Sequence, residues 1–298
     1  MGGEILYFIQ LVVTGIAIGC LYALIGLGFV LIFKATEIIN FAQGEIVMIS
    51  AFVLWYLVTA FNFSFLLASL CTFIIATLLG LAVARLVLQP MLGKPVYAVV
   101  IVTIGLSIFL RSTTGLIFKS QNRTLTSPFS DKIINIAGIT LPHIQIWIIL
   151  STAVLVIIFF ILFKYSRQGL AIRGVADNQK VASLMGISVK RVFALIWGVS
   201  FATAAVSGIF LANIMVINLG LSLVAIIVFP GIIMGGMTSI PGAIIGGLII
   251  GIIENMAGGY LERIIPGGVK DVVPFVILFL FLMIKPYGLF GKKEIERV

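Results

Sequence analysis

The densest polar cluster inside an apolar run is Asn40, Gln43 and Glu45, with Gly44 between the last two. An ionisable residue within a membrane-grade stretch is costly and usually faces a cavity or a partner. If a helix starts near Asn40, its unpaired N–H groups favour a carboxylate group of a solute. A glutamate in a first helical turn also simply stabilises that turn. Lining of a solute path therefore stands beside capping and subunit packing as readings of this cluster.

Little else in the chain could do chemistry. His143 is the only histidine, so no histidine cluster can hold a metal. Cys20 and Cys71 lie in apolar runs and read as small buried hydrophobes, with no disulfide and no zinc site. The phosphate-binding spacing G-x-x-x-x-G-K-[ST] is absent, and GLFGKK at residues 288–293 does not fit it. No Ser/His or His/Asp/Glu constellation stands out, which disfavours a membrane enzyme. An ion-coupled secondary transporter would need carboxylates deep in the membrane, and only Glu45 and Glu254 come close.

The elements that hold these residues are membrane helices. The 298 residues are 61% hydrophobic and 10% charged, with a mean hydropathy of +1.28. A soluble domain carries roughly 25% charged residues, and a spanning helix needs about 20 apolar ones. Apolar runs cover residues 5–33, 38–60, 65–88, 96–118, 144–163, 192–217, 221–237, 241–256 and 271–284. The expected fold is all-α: a polytopic helical bundle of eight or nine spans forming one membrane domain, with some helices discontinuous. The glycines at 15, 19, 26 and 28 permit close packing or bends, and Pro230 with Gly231 is expected to break the seventh run. Arg111 marks an early end of the fourth helix or snorkels to the interface.

The net charge of +9 does not indicate nucleic acid, because the basic residues cluster between the spans. With nine alternating spans, thirteen of the nineteen Lys and Arg residues fall on one side. That side is cytoplasmic by the positive-inside rule. It places the N-terminus outside, and the basic tail and residues 164–191 inside. The first residues lack the basic region of a cleavable signal.

Residues 164–191 form the longest polar, helix-patterned stretch. Residues 169–185 read as one short amphipathic helix, with Ile172, Ala176, Val181 and Leu184 at approximate helical spacing. Asp177 can meet Arg173 one turn away. Gly186 suits the position past a helix end, and Ser188 can cap the next helix. A solvated loop between spans is the plainer alternative; a lever gripped by a partner is the functional one.

Four blocks, in order along the chain, resemble the LivH-type permeases of branched-chain amino-acid ABC importers. They are YALIG at 22–26 with INFAQGE at 39–45; RGVAD at 173–177 through ASLMGI at 182–187; GGMTSIPGA at 235–243 with IGGL at 245–248; and KDVV at 270–273 with KPYGLFG at 285–291. The resemblance implies a pore-forming subunit in the cytoplasmic (inner) membrane. A second related permease, two cytoplasmic ATP-binding subunits and an extracytoplasmic substrate-binding protein would be its partners. ATP and Mg²⁺ would sit on the partner subunits, with no cofactor on this chain. It assigns coupling to Arg173, Ala176, Asp177, Lys180, Ala182, Gly186 and Ile187. Tyr22, Asn40, Gln43, Gly44, Glu45, Ile227 and Pro230 become candidates for the translocation path. Gly235, Gly236, Pro241, Gly242, Gly246 and Gly247 become packing or hinge positions. The family usually has His where this chain has Gln43 and Lys near Ile227, and Pro230 replaces a small or hydroxylated residue. Those departures keep urea or another small metabolite open as the solute.

Overall fold

The computed structural model describes residues 2–125, 129, 133–136 and 139–291. Lys132 and the tail residues Lys292, Lys293 and Arg297 lie outside the described residues, as does the expected cytoplasmic placement of the C-terminus.

Among the described residues eleven α-helices run in chain order: α1 Gly2–Thr36, α2 Gln43–Ala60, α3 Phe65–Val83, α4 Val96–Phe118, α5 His143–Tyr165, α6 Arg167–Asp177, α7 Gln179–Leu184, α8 Val189–Ile214, α9 Val224–Gly235, α10 Ile240–Met256 and α11 Val269–Ile284. Among the described residues seven helices are long and apolar enough to cross a membrane; α9 and α11 are shorter. Two loosened π-helical turns, Ala84–Leu88 and Ala257–Leu261, extend α3 and α10.

Helix α1 is the mast of the bundle. Its 35 residues at 1.5 Å each reach about 52 Å, well beyond a hydrocarbon core of about 30 Å. It is one continuous helix, so its glycines serve packing and not bends. In its most apolar window 83% of residues are buried, against 11% in α5. The exposed faces of α3, α4 and α5 carry Leu78, Ile104, Ile108 and Ile157 outward, an apolar surface that only lipid or a partner subunit can cover.

Lipid tails are as apolar as leucine, so helices associate in a bilayer through close packing and hydrogen bonds. The α1–α10 seam does this with glycine. A Cβ at Gly19 would lie 2.7 Å from Leu248 Cα, and one at Gly251 would overlap the Gly19 backbone. Gly247 meets Ala23 in the same way. Gly231, Gly235, Gly242 and Gly246 repeat the arrangement between α9 and α10. Pro241 occupies the first turn of α10, where its missing N–H costs nothing, and Ser239 Oγ accepts from Gly242 N at 3.1 Å. Gly236 ends α9 at φ +100, pressed against the Gly291 backbone.

Three expectations need correction. The seventh run is not broken at Pro230, which lies inside α9. The break comes earlier, at the 3₁₀ turn Leu219–Leu223, where Asn218 Oδ1 accepts from Gly220 N at 2.8 Å. The second run becomes helical only at Gln43, leaving residues 38–42 irregular. The polar loop after α4 contains a hairpin, β1 Ile133–Ile136 paired antiparallel with β2 Ile139–Pro142. Its β-branched residues were the available signal.

Gly251→Val should destabilise the protein by about 1–3 kcal/mol or more through overpacking. Gly105→Ala, which meets nothing within 4 Å, should leave it unchanged. Thermal unfolding in detergent distinguishes the two.

Candidate functional site

The polar stretch folds as two helices, not one. Ser166 caps α6, its Oγ accepting from Gly169 N at 2.9 Å. The helix ends at Asp177 because Asn178 is extended (φ −160, ψ 108). Asn178 then caps α7, its Oδ1 accepting from Val181 N at 3.0 Å. This break shifts the helical phase. The buried anchors are Val175 and Ala182, while Val181 (54% exposed) and Leu184 (87%) point outward. Gly186, at φ +83, terminates α7: Gly186 N donates to Ser183 O and Ile187 N to Ala182 O, both 3.0 Å. Ser188 precedes α8, but its side chain makes no capping bond.

The expected Arg173–Asp177 pair does not form among the described residues. Arg173 Nη1 instead donates to Lys164 O at 3.3 Å, and its guanidinium lies 5.8 Å from the Phe163 ring centroid. Arg173, Ala176 and Asp177 join Lys34, Glu37 and Ser239 around a cavity of about 670 Å³ at the ends of α1, α5 and α10. Arg173 and Asp177 also border a cleft between α6 and α7, with Leu170, Met185 and Ile187 opposite. Lys180 is exposed. Gln179 Nε2 donates to Ala35 O at 3.0 Å, tying α7 to the last turn of α1.

The membrane cluster divides. Asn40 and Gln43 are fully buried. Asn40 Nδ2 donates to Gln43 Oε1 at 3.2 Å, and Gln43 Nε2 donates to Ser200 O at 3.2 Å. Ser200 Oγ lies 3.0 Å from both Gln43 Oε1 and Gly28 O. This network locks α1, α2 and α8 together. Gly44 presses on the Ser222 carbonyl of the 3₁₀ turn. Tyr22 Oη donates to Glu254 Oε2 at 2.6 Å, both buried on the α1–α10 seam. Pro230 is buried, and Ile227 packs on the core.

Of the seven path candidates, Glu45 lines a cavity of about 500 Å³. Its other walls include Phe41, Ser107, Arg111, Ser222 and Phe229. Arg111 does not end α4; it sits seven residues before the helix end and lines the same cavity as Glu45. Its basic character inside an apolar run was the signal for this position.

The family described as "Branched-chain amino acid transport system / permease component" matches residues 11–282. The chain belongs to that family. The permease is 36% identical to the high-affinity branched-chain amino acid transport system permease protein LivH of Salmonella typhimurium, over 100% of both chains. It is 29% identical to BraD of Pseudomonas aeruginosa, a permease protein of the same description, over 99% of each. A relative in Methanocaldococcus jannaschii, described as a probable LivH, is 27% identical over 93% of the permease and 91% of that protein. Among solved structures, PsaBC from Streptococcus pneumoniae in complex with Fab matches with a TM-score of 0.53. That match covers 95% of the permease and 94% of the PsaBC chain at 11% identity, so it concerns the fold alone.

Gln43→Ala should behave as a packing mutation. Loss of its bonds strands the buried Asn40 and Ser200 groups, at about 1–3 kcal/mol. A double-mutant cycle with Ser200→Ala should show a coupling of about 0.5 kcal/mol or more in thermal unfolding.

Proposed function

We propose that this permease is a pore-forming subunit of a binding-protein-dependent ABC importer that moves branched-chain, hydrophobic amino acids inward across the cytoplasmic membrane. The full-length likeness to LivH and BraD supports the substrate class. A second related permease would complete the pore, and an extracytoplasmic binding protein would deliver the solute. Two cytoplasmic ATP-binding subunits, carrying ATP and Mg²⁺, would supply the energy. Charge asymmetry supports an outside N-terminus and an inside C-terminus.

The observation that carries the energy coupling is the α6–α7 element. It is polar, yet it offers Leu170 (63% exposed), Leu184 and Met185 (78%) to solvent beside a cleft. Full burial of such a side chain stabilises an interface by about 1.5–3 kcal/mol. An ATP-binding subunit seated there, with Arg173, Ala176, Asp177, Lys180, Ala182, Gly186 and Ile187 shaping the element, can push through Gln179 on the end of α1. Closure of the ATP-binding pair would then reorient the spans. Gly235, Gly236, Pro241, Gly242, Gly246 and Gly247 sit where such a motion would have to slide or bend.

In proteoliposomes, leucine uptake should require ATP, the ATP-binding subunits, the second permease and the binding protein. Leu184→Asp should cut uptake about tenfold or more, the equivalent of 1.4 kcal/mol or more in docking. Uptake by this chain alone on an ion gradient would instead identify a secondary transporter.

A further inference from the structure

The cavity beside Glu45 is lined by one acidic and one basic side chain, Glu45 and Arg111. Glu45 stands at the start of α2, 6% exposed. Arg111 stands on α4 and lines the same cavity. Charged side chains at such a depth are costly unless something compensates them. Ser107 and Ser222 add hydroxyls to the same wall. The remaining surface is apolar, with Phe41 (42% exposed) and Ile226 (52%) open to the space and Phe229 between them. Its volume of about 500 Å³ falls within the roughly 300–1,000 Å³ typical of small-molecule sites.

An α-amino acid with an aliphatic side chain has the complementary form. Its ammonium and carboxylate are separated by one carbon, it is neutral overall, and it carries a hydrocarbon branch. We propose that this cavity is a transient subsite for a zwitterionic aliphatic amino acid inside the permease, an inference that rests on the transport reading above. Glu45 takes the ammonium, Arg111 takes the carboxylate, and Phe41, Ile226 and Phe229 receive the side chain. The geometry also explains why such a site binds weakly. The cavity is larger than one amino acid needs, so water remains and competes for both charges, as release to the cytoplasm requires.

The Tyr22–Glu254 pair offers no comparable opening, because its hydrogen bond closes it on itself. The α6–α7 cleft belongs to the docking element already described.

The test uses the assembled transporter in nanodiscs, without its binding protein, and a diazirine analogue of leucine as the probe. Photolabelled peptides should include Phe41, Ile226 or Phe229, and excess leucine should suppress that label. Isoamylamine and 4-methylpentanoate, each lacking one charge, should compete about tenfold less well, the loss of one charge-assisted hydrogen bond. Glu45→Gln and Arg111→Gln should each reduce labelling to a similar degree. Label that leucine does not suppress, or that both one-charge analogues suppress equally well, overturns the subsite; so does protection of the pocket by the second permease alone. These competition arms need no variant and stand even if either substitution prevents folding. Leucine uptake is measured in parallel on the same transporter reconstituted in proteoliposomes with ATP and its binding protein. Uptake without pocket labelling sinks the subsite and leaves the transport function standing. Leucine-suppressed labelling without uptake supports the subsite and overturns the transport reading.

Discussion

The structure depends on how closely α1 and α10 approach. In a bilayer the hydrophobic effect does not hold helices together, so contact must come from dispersion and hydrogen bonds at short range. Gly15, Gly19, Gly247 and Gly251 remove the side chains that would keep the two backbones apart. The same device joins α9 to α10 through Gly231, Gly235, Gly242 and Gly246. Three helices thereby pack backbone to backbone as one unit. The Tyr22–Glu254 bond adds a polar tie within it. Because the last turn of α1 meets α7 through Ala35, this unit is also what any displacement of α6–α7 must move.

The polar groups inside the bundle fall into two kinds. Asn40, Gln43 and Ser200 satisfy one another and the Gly28 carbonyl, away from any opening. Buried groups so paired specify an arrangement and contribute little to solute chemistry. Glu45 and Arg111 border one cavity. Gln43 and Glu45 are two residues apart, yet Gln43 faces α8 while Glu45 borders the cavity.

That separation was not legible in the sequence. Composition gave the class, because 61% hydrophobic residues with 10% charged cannot fold as a soluble domain. Basic-residue asymmetry and the four motif blocks singled out residues 164–191 and gave them an expected cytoplasmic side. But α2 beyond Glu45 is almost wholly apolar on every side, so no periodicity reveals which face meets α8. The α6–α7 element shows a related limit. A single extended residue, Asn178, resets the helical phase, turning Val181 and Leu184 outward where a continuous helix would bury them. Pro230 misled in the opposite direction, since α9 accommodates it within the helix.

The most direct measurement is the sidedness and occupancy of the α6–α7 element. Leu184→Cys, at an 87% exposed position, is treated with a membrane-impermeant maleimide in oriented vesicles. Labelling is expected in inside-out vesicles stripped of the ATP-binding subunits, with strong protection once those subunits are added back, and no labelling from the outer face. Labelling from the outside, or equal labelling with and without the ATP-binding subunits, would contradict a cytoplasmic docking element.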